Sequence, residues 1–179
     1  MDRFVILSGC SGGGKTTLLA ELNWRGYTVV EKPGQRIVRE AMSSGGDAVP
    51  WKNMEAFLRR AITLAANDYA QARDHGQLWV FFDRGLIDAA AALQAITGEP
   101  VLTTIASRYR YHSRVFLVPP WPEIYVQNSE RRHSMDAAIA EFERLQDVYP
   151  TLGYRVSMLP KACVNARADF VLRTLAEVW

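Results

Sequence analysis

Apolar residues along the chain follow two alternating patterns, short continuous runs and longer stretches that repeat every three or four positions. The runs are Phe4-Val5-Ile6-Leu7, Tyr27-Thr28-Val29-Val30, Leu78-Trp79-Val80-Phe81-Phe82, Ser113-Arg114-Val115-Phe116-Leu117-Val118 and Tyr154-Arg155-Val156-Ser157-Met158-Leu159. Strands buried on both faces of a parallel sheet read this way. Breakers close the later runs: Pro33-Gly34, Asp83-Arg84-Gly85, Pro119-Pro120-Trp121-Pro122 and Pro160. Between the runs lie helix patterns. Thr17–Leu22 is the first, and Trp51–His75 is the longest, free of Pro and Gly, with Met54, Phe57, Leu58, Ile62, Ala65, Ala66 and Tyr69 at helical spacing. Asp88–Ile96, Asp136–Tyr149 and Ala166–Val178 are predicted helices as well.

Strands that alternate with helices imply right-handed crossovers, and so an α/β class with a doubly wound parallel five-stranded sheet in a three-layer sandwich. In such sheets ligands bind beyond the carboxyl ends of the strands. The segments Ser8–Thr16, Glu31–Gly34, Asp83–Gly85 and Pro119–Pro122 are therefore expected to face one crevice. No repeat or linker divides the chain, and the loop Ser43–Asp47 is too short to separate domains, so residues 1–179 are expected to form one domain.

The first strand runs straight into Gly9-Cys10-Ser11-Gly12-Gly13-Gly14-Lys15-Thr16, a complete G-x-x-x-x-G-K-[ST] phosphate-binding loop, with Thr17 opening the helix. Gly9, Gly12, Gly13 and Gly14 let backbone N–H groups of the loop, Ser11 included, turn toward one point. Lys15 places a cation on the β- and γ-phosphates, and the Thr16 hydroxyl suits Mg²⁺. The expected ligands are ATP and Mg²⁺.

Charge narrows the partners. With 21 Lys and Arg against 19 Asp and Glu, the overall field makes no case for nucleic acid or an anionic membrane. Cys10 and Cys163 cannot form a disulfide framework, and Cys10 sits inside the phosphate loop, which fits a reducing compartment. Neither a signal peptide nor an apolar stretch of spanning length is present, so a cytoplasmic protein is expected. His75 and His112 have no ligating residue at metal spacing.

Asp83 follows five apolar residues, which puts a carboxylate at the tip of a buried strand beside the loop. There it can hold Mg²⁺ or accept the proton of an attacking hydroxyl; as a cap for a helix starting near Leu86 it would serve structure alone. Arg84 is placed to clamp a substrate or a transferring phosphoryl group. Glu31, at the end of the second strand, is a second candidate base on the acceptor side. Arg131 and Arg132 follow a Pro-rich stop and precede a helix, as side chains of a lid at about residues 120–134 would. Trp51 and Phe57 are core candidates that can also line an acceptor pocket.

In this order the motifs resemble the P-loop kinases of nucleosides and small metabolites. Phe116-Leu117-Val118-Pro119-Pro120-Trp121-Pro122-Glu123-Ile124-Tyr125, Glu130-Arg131-Arg132, Leu152-Gly153-Tyr154 and Leu159-Pro160-Lys161 are similar to the bacterial AAA family ATPase group that resembles the nicotinamide riboside kinase domain. The resemblance implies Lys15 and Thr16 at the phosphates and Mg²⁺, Asp83 as the acid, Arg131 and Arg132 in the lid, and the stretch after Pro160 beside the adenine. Two functions follow as expectations. One is an ATP-dependent phosphotransferase acting on a hydroxyl of a nucleoside- or riboside-like acceptor, and the other is an ATP-hydrolysing switch without an acceptor. A polynucleotide 5′-kinase would want a basic groove that the charge balance does not supply.

Overall fold

The computed structural model describes residues 3–74, 76, 78–124 and 135–177. Strands β1 (Phe4–Gly9), β2 (Thr28–Val30), β3 (Val80–Asp83), β4 (Arg114–Val118) and β5 (Arg155–Met158) form one parallel sheet in the order β2-β3-β1-β4-β5. The helices are α1 (Lys15–Trp24), α2 (Pro33–Ser44), α3 (Met54–Gln71), α4 (Leu86–Thr97), α5 (Val101–Arg108), α6 (Met135–Thr151) and α7 (Val164–Ala176). This is the expected doubly wound α/β architecture.

Successive side chains of a strand point to opposite faces, so a continuous apolar run serves two cores. In β1, Phe4 and Ile6 pack with Tyr69, Leu86 and Tyr149 on the face covered by α3, α4 and α6. Val5 and Leu7 turn the other way, onto Leu18 and Leu22 of α1 and Val171 and Leu175 of α7. Register sets the strand ends side by side: Leu7 of β1 is level with Asp83 of β3 and with Phe116 of β4. The loop leaving β1 and the carboxylate ending β3 are therefore neighbours because the central pairing makes them so.

Several boundaries differ from the sequence expectation. α2 begins at Pro33-Gly34, which sequence reading marked only as a strand stop. Proline has the right φ for the first helical position and lacks an N–H that would be left unpaired there anyway. Ile37, Val38 and Ala41 then give α2 a buried face. α5 is a short helix after Pro100 that sequence reading did not anticipate. α3 starts at Met54 rather than Trp51 because Asn53 caps it, its Oδ1 accepting from the Ala56 N–H at 3.0 Å. Among the described residues no helix is long and apolar enough to cross a membrane, and Cys10 and Cys163 are both free.

Candidate active site

The phosphate loop is pressed against the end of β4. The Cys10 N–H donates to the Val118 carbonyl at 2.8 Å. Gly9 has φ +104°, and a Cβ there would lie 2.4 Å from the Val118 oxygen. A Cβ on Gly13 would meet Val118 Cγ1 at 2.3 Å and the Pro119 oxygen at 2.8 Å. Pro119 thus supports the loop from beneath, and Gly9 and Gly13 shape the loop without lining its cavity. Gly14 begins α1 in the left-handed region with no side-chain cap, so the first turn keeps amide donors for an anion.

A cavity of about 670 Å³ opens above the loop. Ser11, Gly12, Gly14, Lys15, Thr16 and Thr17 line one end of it. Lys15 and Asp83 are both buried, with Lys15 Nζ 3.2 Å from Asp83 Oδ1. That oxygen is buried yet accepts no hydrogen bond among the described residues. A charge pair in contact but not aligned is one that a triphosphate can open. Burial pushes the Asp83 carboxyl up, but Lys15, Lys32 and Arg84 together hold it below the usual range, so it is ionised at neutral pH. Asp83 is not a helix cap: that place belongs to Gly85, whose N–H donates to Asp88 Oδ2 at 2.9 Å.

Arg84 is the one non-glycine residue of positive φ among the described residues, at +66°. That backbone costs energy and turns the guanidinium into the interior. It donates to Asp88 Oδ1 at 3.2 Å, to the Gly9 carbonyl at 3.1 Å and to Glu141 Oε2 at 2.9 Å. Burial alone would lower its pKa; Glu141, Asp88 and Asp83 reverse the effect and raise it. Asp88 is the anchor of this set. It also accepts from the Ser8 hydroxyl and from Tyr149 OH, the latter at 2.7 Å. Replacing Asp88 with Ala would leave Arg84 with one carboxylate fewer and two hydroxyls unpaired. A loss of about 3 kcal/mol or more is expected in denaturant unfolding.

Glu31 is corrected. It is exposed, ion-paired with Arg39 at 2.8 Å, and does not line the cavity. β2 delivers the next residue instead: Lys32 lines the cavity with Gly34 and Gln35. Its ammonium is pushed down to about 8, first by burial and then by Arg84 and Lys15. Trp51 and Phe57 do line the cavity, with Val38, Met54 and Leu58, as an apolar wall beyond Arg84. Of the four predicted segments, those carrying Lys15, Lys32 and Asp83 reach the cavity and Pro119–Pro122 does not. Arg131 and Arg132 lie outside the described residues.

The charged residues give opposite pH limits. Burial raises the Glu141 carboxyl, but Arg84, Lys32 and Lys15 pull it below its ordinary 4.5. Its stabilisation is complete above that value and is lost as pH falls through the lower folded one. Lys32, depressed from 10.5 to about 8, opposes folding below pH 8, and this cost is relieved as pH rises from 8 to 10.5. Thermal melts of the free protein should therefore drop on acidification below 4.5. A Lys32→Met variant should be relatively more stable than the parent near neutrality and lose that advantage by about pH 10.5.

Residues 4–167 match the model of an AAA domain family, AAA_28. The chain belongs to the AAA_28 family. No curated protein matches it in sequence. Among solved structures it is similar to deoxyadenosine kinase from M. mycoides. The form with bound dATP is 14% identical with a TM-score of 0.62, and the form with products dCMP and a flexible dCDP is 12% identical with a TM-score of 0.70. Each alignment covers 97% of this chain and 99% of the kinase. This AAA_28 chain thus has the P-loop nucleoside kinase-like fold.

Sequence reading missed Lys32, Asp88, Glu141 and Arg144 as cavity residues. A signal existed for one of them. Asp88 stands one helical turn after Arg84 with an otherwise apolar stretch around it, Leu86-Ile87 and Ala89-Ala90-Ala91. Glu141 and Arg144 share a helix face with Ala137 and Ala138, but nothing in their spacing says that this face meets the cavity.

Proposed function

We propose that this AAA_28 protein transfers the γ-phosphoryl group of ATP to a hydroxyl of a small acceptor. One observation carries the reading: a single cavity joins the phosphate loop to an apolar wall of Val38, Trp51, Met54, Phe57 and Leu58 that a triphosphate does not need. A switch ATPase needs only the first half of that cavity. Its volume lies within the range of small-molecule sites, about 300–1,000 Å³.

The acceptor hydroxyl would attack the γ-phosphorus in line. The new bond is O–P, the bond to the β–γ bridging oxygen breaks, ADP leaves, and the hydroxyl proton passes to the Asp83 carboxylate and then to solvent. Lys15 and the loop amides would hold charge on the transferred group. The residues present fit Mg²⁺. Thr16 lines the cavity, and Asp83 Oδ1, though 3.2 Å from Lys15 Nζ, accepts no hydrogen bond among the described residues. Thr16 and Asp83 would hold the ion, which when bound supplies charge neutralisation on the β- and γ-phosphates. Arg131 and Arg132 are proposed as lid cations over the same phosphates.

The test is ADP release from purified protein with Mg²⁺ and ATP, alone and with nucleosides, ribosides, sugars and hydroxy acids. Acceleration by one acceptor class supports transfer. A rate that no acceptor raises above the basal one overturns transfer in favour of the switch.

A further inference from the structure

Seven charged side chains line the cavity, and they do not balance locally. Its carboxylates are all engaged: Asp83 faces Lys15 at 3.2 Å, Asp88 holds Arg84 and Tyr149, and Glu141 accepts from Arg84 at 2.9 Å. The Lys32 ammonium and the Arg144 guanidinium line the same cavity with no hydrogen bond or ion pair among the described residues. Arg144 Nε is buried and has no hydrogen-bond partner among the described residues. Two cations partly withdrawn from water with no carboxylate in hydrogen-bond contact are costly, and a ligand that brings one removes the cost.

Their placement separates them from the triphosphate. Lys32 follows the edge strand β2, two places from β1 in the sheet, roughly 10 Å across at the usual strand spacing. Arg144 lies one turn after Glu141 on α6, in a wall shared with Ala89 and Ala92 of α4. Lys15 and the amides of α1 already answer the phosphates. What remains on the Lys32 side is the apolar wall of Trp51 and Phe57.

We propose that the acceptor is itself an anion: a small hydroxyl compound that presents a carboxylate or phosphate to Lys32 and Arg144 and lays an apolar or flat body against Trp51 and Phe57. This rests on the phosphotransferase reading and narrows its substrate class. The two anions share the chemistry of oxygens that accept charge-assisted hydrogen bonds. A neutral nucleoside would leave both cations unanswered, and a cationic riboside would repel them.

The experiment measures kcat/KM for ADP release with matched acceptors: a nucleoside against its 5′-monophosphate and 5′-carboxylate, pantothenol against pantothenate, ribose against ribose 5-phosphate, and nicotinamide riboside as the cation. The expected result is a preference of about tenfold or more for the acidic member, expressed in KM, with the phosphate and carboxylate arms telling which anion is read. Lys32→Met and Arg144→Met should each shrink that preference toward unity, and Lys32→Arg should keep most of it. Melting curves of the variants separate misfolding from lost recognition. Preference for the neutral or cationic member, or an acid preference that survives both Met substitutions, overturns the anionic acceptor while leaving phosphoryl transfer standing. If no acceptor of any charge accelerates ADP release, the transferase reading falls and this inference falls with it.

Discussion

Lys15→Ala should lower phosphoryl transfer by about 10²–10³-fold or more, the scale of removing a preorganised charge from a developing oxyanion. Lys15 is buried in the cavity wall, ion-paired with Asp83 at 3.2 Å. In the free protein each neutralises the other. When a triphosphate enters, the ammonium exchanges a misaligned carboxylate for phosphate oxygens, so its binding energy is directed at the group that moves. The substitution strands the Asp83 carboxylate, yet the unfolding midpoint should shift little compared with Asp88→Ala, because Asp83 still faces Lys32 and Arg84. ADP release and a denaturant curve on the same preparation check both halves. A variant that turns over at the parent rate would contradict the phosphate-loop assignment.

Asp83→Asn should lower kcat by roughly 10²–10⁴-fold while changing ATP affinity only a few-fold. The amide keeps the shape and cannot take a proton. It also removes the negative charge that restrains Lys15, so nucleotide affinity can even rise. Single-turnover rates with a saturating acceptor, set against ATP binding by titration calorimetry, separate the two quantities. Equal losses in rate and affinity would make Asp83 a structural residue. Glu31→Gln is the control, since Glu31 spends its charge on Arg39 in an exposed pair of the kind worth about 0–1 kcal/mol.

The fold was legible because each apolar run had to satisfy two cores, and runs such as Val80-Phe81-Phe82 admit hardly any other placement. The phosphate loop was legible for a related reason. Its residues are consecutive, and Gly9 and Gly13 answer a local steric demand from the end of β4. The proposed acceptor side was not, because it is assembled from α2, α3, α4 and α6, whose faces are set by packing between distant segments. Glu31 and Lys32 illustrate the limit. Both stand at the end of β2, a strand only three residues long, and a one-residue change in where it yields to α2 decides which side chain enters the cavity. Chemistry favoured the acid as the catalytic candidate, and the backbone delivered the base. Arg84 posed the opposite problem, since its importance was plain from its position after Asp83, but its left-handed backbone and its three acceptors depend on Gly9, Asp88 and Glu141.

If one cavity holds donor and acceptor together, the γ-phosphorus passes from ATP to the acceptor without release to water. ATP labelled in the γ-phosphoryl group, incubated with Mg²⁺, the protein and the acceptor that most raises ADP release, should place its label in a phosphorylated acceptor in step with ADP formation, and Lys15→Ala should abolish both. Label recovered only as inorganic phosphate, at a rate indifferent to every acceptor, would rule out phosphoryl transfer.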